Sequence, residues 1–197
     1  MYFRKDEKLS SKDNAKKTAA LLNKKLGPEF ISYRQGFGMQ EVAYLEGWAA
    51  ISIANRIFGY NGWSSTVKSL TVDFLDEAGG RFSTSVSAMV KVTLSDGTSH
   101  EDVGLGSAEN QRTKSMALEK AKKEAVTDAL KRALRQFGNA LGNVLYDKEF
   151  LNDIKKFKKE KKSKLADNEL LRKTTAMNDD LNYSFIDDDL DEIMKET

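Results

Sequence analysis

The sequence predicts an α+β domain, an antiparallel β-meander covered by a long helix. Three observations carry this. Phe82, Val86, Ala88, Val90, Val92 and Leu94 share one parity, while Ser83, Ser85, Ser87, Lys91 and Thr93 hold the other. That period of two marks a strand with one buried face. The run is bounded by "DEAGGR" and "SDGT", turn chemistry that joins neighbouring strands into hairpins. Finally, Leu118, Ala121, Ala125, Ala129, Ala133 and Phe137 recur at helical spacing. Such a stripe supplies the cover that a sheet with one apolar face needs.

The elements follow in order. Residues 12–26, KDNAKKTAALLNKKL, read as a short helix with Ala19, Leu22 and Leu26 on one face. Gly27 and the single proline, Pro28, end it. "YRQGFGMQE" reads as a glycine-containing loop. It lacks the third glycine and the strong preceding strand signal of a dinucleotide-binding turn. A second helix is expected from Glu46 to Phe58, with Ile51, Ala54, Ile57 and Phe58 as its apolar face and Gly59 as its stop. Leu70, Val72 and Phe74 alternate into the first strand of the meander, and Ser99 to Val103 form the third. The long helix is expected from about Ser107 to Leu141, its alanines allowing close approach to the sheet. Residues 1–154 are therefore expected to form the folded domain. A basic extension, 155–176, opens with KKFKKEKKSK, seven lysines against one glutamate. An acidic tail, 177–197, mixes acids with Leu, Tyr, Phe and Ile, and that composition is expected to stay disordered.

Composition narrows the chemistry. Ten Phe, six Tyr and two Trp in 197 residues suffice for a core. Cysteine is absent, which excludes disulfides, zinc-thiolate sites and thiol nucleophiles. His100 is the only histidine, so no multi-histidine metal site can form. The first residues lack the apolar stretch of a signal peptide, and no apolar run is long enough to cross a bilayer. A soluble, intracellular protein is expected. The net charge of +2 hides a segregation. Residues 165–197 carry three basic and ten acidic side chains, a net −7, which leaves +9 on residues 1–164. A basic body with an acidic tail is the electrostatic outline of an anion binder.

No catalytic constellation emerges. Asp73, Asp76, Glu77, Glu101 and Asp102 sit on or beside turns and on polar strand positions, where acids are ordinary. Asp187, Asp189 and Asp191 open like a calcium loop, but Glu192 stands where the sharp turn requires glycine. His100 reads as a solvated strand residue rather than a base. No enzyme activity, metal or cofactor is expected. The sharper feature is "DALKRALRQFGNALGN", residues 128–143. At about 100° per residue, Lys131 and Arg135 project opposite the apolar stripe and Arg132 lies at its flank. These three either form a solvated face, with Asp128 pairing Arg132 at i+4, or hold an anionic polymer. The residues alone leave both open. Tyr44, Tyr60 and Trp63 read as core aromatics, although Tyr44 follows the glycine loop that carries Arg34.

Five stretches add a resemblance: "LGPEFISYRQGFG", "YLEGWAAISIANRIFGYNGW", "VDF", "HEDVGLG" and "EKAKKEAVTDALKRALRQFGNALGN". Together, from about Leu26 to Leu151, they resemble the N-terminal domain of the Rad52 family of eukaryotic single-strand annealing and recombination mediator proteins. The resemblance implies a β-β-β-α core assembled into a homo-oligomeric ring with a basic groove around its outside. It implies single-stranded DNA binding and annealing of complementary strands in homologous recombination and double-strand break repair, in the nucleus. By position it assigns an inner DNA groove to Arg34, Tyr44, Lys131, Arg132 and Arg135. It assigns an outer site, for double-stranded DNA, to Arg81, Arg112 and Lys148; a further basic position of that site falls at Asn152. It points to replication protein A as a partner for the acidic tail. Ring assembly would also cover the sheet edges and the small-residue segment "GNALGN". Three rivals remain: an accessory or organellar paralogue, an oligomeric scaffold binding RNA or protein, and a metal nuclease using the turn carboxylates.

Overall fold

A helix, α1 (residues 14–22), leads into a two-residue strand, β1 (Lys25–Leu26). The structure is a computed structural model, and it describes residues 14–160 and 170–171. The helix expected to reach residue 26 thus stops four residues early, and Leu26 is fully buried as part of a strand. A 3-10 turn with Pro28 in its first positions follows. The glycine loop is the turn of a hairpin between β2 (Ile31–Gln35) and β3 (Glu41–Leu45), which pair antiparallel. Gly38 and Met39, at φ 71° and 61°, make the reversal. Ile31 and Leu45, opposite each other in register, are buried, so this short hairpin has a core face and an outer face.

Helix α2 (Gly47–Phe58) starts after Glu46 and ends at Gly59, φ 84°. Its core face is Ala49, Ala50, Ile53, Ala54 and Ile57. Ile51, expected on that face, is instead exposed.

Then comes the meander. β4 (Trp63–Ala78), β5 (Arg81–Leu94) and β6 (Ser99–Gln111) pair antiparallel in that order. Register shifts at Val67/Ser69 and Val72/Phe74 put bulges into β4. Val72 therefore lies opposite Val86 on the helix side, whereas Phe74 pairs with Ser85 on the open side. A bulge reverses parity in this way.

Helix α3 (Lys114–Arg135) packs on β5 and β6. Thr113 caps it by accepting from the Met116 N–H at 3.2 Å. The helix expected from Ser107 begins seven residues later, because β6 continues to Gln111. The cause is close packing. Gly104, Gly106 and Ala108 alternate onto the helix side of β6, and a Cβ at either glycine would collide with the backbone of α3 at Ala121, Ala125 or Ala129. Ala117, Ala121, Ala125, Ala129 and Ala133 are all fully buried against this surface.

The C-terminal end of α3 enters a second core built from α2, the hairpin and α4 (Lys148–Glu160). Between α3 and α4, "GNALGN" winds into 3-10 turns in which Ala140 and Leu141 are buried within the chain itself, as is Val144 just after it. The segment needs no second copy to cover it, contrary to expectation. Helix α4 runs past residue 154, with Ile154 fully buried. β7 (Leu170–Leu171) pairs parallel with β1. The rest of the basic extension and the whole acidic tail lie outside the described residues.

Candidate nucleic-acid interface

The last turn of α3 concentrates charge. Arg132 and Arg135 stand at its C-terminal end, where unpaired carbonyls favour cations. The outer face of the hairpin lies across from them. Register puts Ser32 opposite Tyr44 and Arg34 opposite Val42, so Arg34 and Tyr44 share the face turned away from Ile31 and Leu45. The 3-10 turns after α3 close the third side. The result is a groove of about 250 Å³ that gathers Arg34, Tyr44, Lys131, Arg132 and Arg135, with Leu141, Leu145 and Tyr146 among its apolar lining. All five residues assigned to the inner set by position thus meet in one place, from three separate elements.

Within the groove the cations have fixed seats. The guanidinium of Arg34 lies 5.5 Å from the centroid of the Tyr44 ring, and Lys131 Nζ lies 5.9 Å from the same ring. Arg135 lies over Tyr146 at 4.4 Å. Each such contact contributes about 0.5–1 kcal/mol at an exposed site. Arg132 Nε donates to Asp128 Oδ2 at 2.7 Å, and this bond holds the guanidinium above its ordinary value. Asp128 also accepts from the Leu105 N–H at 3.3 Å, so the pair is tied to the sheet. The terminal nitrogens of Arg132 remain as donors beyond that bond. Glu46, at the foot of the hairpin, accepts from Ser32 Oγ at 2.8 Å and from Trp48 Nε1 at 2.7 Å. These bonds, with Lys131 nearby, hold its carboxyl below the usual carboxylate range.

Other candidates separate. Arg81 and Arg112 are exposed neighbours at one end of the sheet, just beyond the Phe82–Gln111 register pair. Lys148 opens α4, beyond the opposite end of α3. A helix of 22 residues is about 33 Å long, so the single chain does not bring the outer three together. His100 is not simply solvated: its ring packs on Phe137 at 4.6 Å, edge to face. Tyr60 is exposed, not in the core. The turn acids do not converge, and no group of three or more His, Asp or Glu that could hold a metal occurs among the described residues. Tyr146 was missed from the sequence. It falls in irregular turns where neither period gives a signal, and only the fold brings it back to Arg135.

Fold and site together define an α+β domain with a basic, aromatic-lined groove formed by a helix end and a hairpin. Comparison with known proteins makes the class specific. Residues 14–164 match the model of the Rad52/22 family double-strand break repair protein, and the chain belongs to that family. It is 61% identical over 153 residues to the DNA repair and recombination protein RAD52 of Eremothecium gossypii, covering 78% of this chain and 35% of that protein. It is 63% identical over 137 residues to RAD52 of Saccharomyces cerevisiae, covering 70% and 29%. It is 55% identical over 139 residues to rad22 of Schizosaccharomyces pombe, covering 70% and 30%. The chain thus spans about a third of the length of these relatives.

Proposed function

We propose that this domain binds single-stranded DNA in the groove through its phosphates and anneals complementary strands during recombination and double-strand break repair. The carrying observation is the convergence of Arg34, Lys131, Arg132 and Arg135, with Tyr44, on one groove. Annealing requires base edges to stay free. Contacts confined to phosphates extend a strand and screen repulsion between strands without occupying the edges that must pair. Such a mechanism breaks no bond and needs no metal or nucleotide, so the reading is of a binding protein rather than an enzyme. The names of the relatives, DNA repair and recombination proteins, support DNA as the polymer and the nucleus as the place of action.

The reading extends to assembly. α3 covers β5 and β6 but leaves β4 at the sheet edge, with Val67, Leu70 and Val72 between 42% and 49% exposed on the helix side. A long apolar edge of this kind invites a second copy, which supports a closed homo-oligomeric ring. Because a single chain keeps Lys148 apart from Arg81 and Arg112, an outer place for double-stranded DNA built from all three requires a neighbouring subunit. The acidic, apolar-rich segment from Asp179 to Thr197 supports replication protein A as a partner, since such segments dock as amphipathic helices in basic grooves.

The direct test is fluorescence anisotropy of a labelled oligothymidylate, a matched RNA and a duplex at several salt concentrations. The proposal predicts DNA single strands bound at least as tightly as RNA, with affinity falling linearly on a log–log salt plot. RNA bound far more tightly than DNA would favour an RNA-binding scaffold instead.

A further inference from the structure

Tyr146 belongs to none of the sets that position assigns, yet it lies in the groove wall with its side 67% exposed. An exposed aromatic gains little from its own burial, so its value must come from what it touches. What it touches is Arg135, whose guanidinium carbon sits 4.4 Å from the ring centroid. Arg135 also faces an acid, Asp102, at 3.9 Å. That distance is an ion pair but too long for a hydrogen bond. Asp102 Oδ1 accepts from the Val103 N–H at 2.8 Å, and Oδ2 accepts from Gln136 Nε2 at 3.0 Å. The carboxylate is oriented by these neutral donors and meets the arginine as an ion pair without a hydrogen bond. Arg132 is the contrast, because Asp128 takes its Nε directly at 2.7 Å.

We infer that Tyr146 is a positioning residue of the groove: its ring is the pedestal over which the Arg135 guanidinium sits, leaving its N–H donors for a phosphate. A guanidinium stacked on an aromatic face keeps all its donors, since stacking uses the π surface and none of the N–H bonds. A guanidinium caught by a carboxylate does not. Tyr146 therefore does for Arg135 what Tyr44 does for Arg34, and the groove carries an aromatic seat on each wall with the basic turn of α3 between them. This inference rests on the reading of the groove as a phosphate-binding site, which the experiment tests alongside it.

The experiment is a salt titration of oligothymidylate binding by the full chain, its Arg135→Ala, Tyr146→Leu and Tyr146→Phe variants, and the Arg135→Ala/Tyr146→Leu double variant. Leu keeps apolar bulk without a π face, and Phe keeps the face without the hydroxyl. Thermal unfolding checks that each variant folds. The expected result is a loss of affinity of about twofold to fivefold for Tyr146→Leu and near-normal binding for Tyr146→Phe. The double variant should be no weaker than Arg135→Ala alone. Three results would overturn the pedestal while leaving the groove standing: Tyr146→Leu binding as the parent does, Phe failing as badly as Leu, or fully additive losses in the double variant. An Arg135→Ala variant with unchanged affinity and salt slope would overturn the groove reading itself, and the pedestal with it.

Discussion

Asp128 shows how little separates a held arginine from a silenced one. It takes Arg132 through Nε and is itself fixed by the Leu105 N–H, so the forked end of the guanidinium stays available. Arg34 and Lys131 share one aromatic ring instead, with Asp128 the one acid in the groove lining and Glu46 near Lys131 below it. Arg34→Ala and Lys131→Ala should each weaken single-strand binding and reduce the salt slope by about 0.7, the value of one lost phosphate contact on a single strand; anisotropy across salt concentrations reads both. Thermal stability should hold, because Arg34 is exposed and Lys131 is not in the core. Glu46 carries a pH dependence of stability. Its folded carboxyl titrates below the ordinary value because Ser32 and Trp48 donate to the ionised form. Its contribution to stability is therefore present above the unfolded carboxylate's value and is lost as pH falls through the folded one. Urea unfolding of the parent and Glu46→Gln at several pH values should show a stability gap at neutral pH that closes in acid.

At the scale of elements, the contact between β6 and α3 sets the positions of the groove residues. Gly104 and Gly106 let the alanine stripe of α3 lie against the strand, so the direction of α3, and with it the position of its basic last turn, follows from two missing side chains. Gly106→Ala should destabilise the domain by about 1–3 kcal/mol, the usual cost of overpacking, as measured by chemical denaturation. The alanine stripe and the strand alternation were legible in the sequence because each is a local period, and the turns because Gly and Asp mark them within a few residues. Gly104 and Gly106 hid the second half of β6: "GLGSAEN" reads as a helix approach, since glycine carries no hydrophobic signal even where it is buried. The β2–β3 hairpin was obscured for a related reason, its strands being five residues long with an outer face that carries Arg34 and Tyr44 for the groove. Lys131, Arg132 and Arg135 stood out by helical spacing, and their assignment with Arg34 and Tyr44 to one groove came from position within a resemblance, while the convergence of the five was not a property of any local pattern. Tyr146 had no local pattern at all.

For the whole molecule, charge and edges dominate. The exposed helix-side residues of β4 predict that Val67→Lys/Leu70→Lys lowers the assembly size in sedimentation velocity, because inward-pointing charges block edge pairing; a parent that sediments only as a monomer at micromolar concentration would contradict the ring. The tail makes a separate prediction. Deleting residues 179–197 should leave binding to bare DNA nearly unchanged and slow annealing of strands coated with replication protein A. Tighter binding of bare DNA at low salt would show instead that the −7 segment competes for the +9 body. The central claim is that phosphates held in this groove bring complementary strands together without chemistry on them. Its most direct measurement is the annealing rate of complementary oligonucleotides in the presence of a chelator, for the parent chain and for Arg34→Ala/Lys131→Ala. The account predicts that the parent accelerates annealing despite the chelator and that the double variant loses most of that acceleration. A parent that leaves the spontaneous rate unchanged, or a double variant that anneals as fast as the parent, would contradict it.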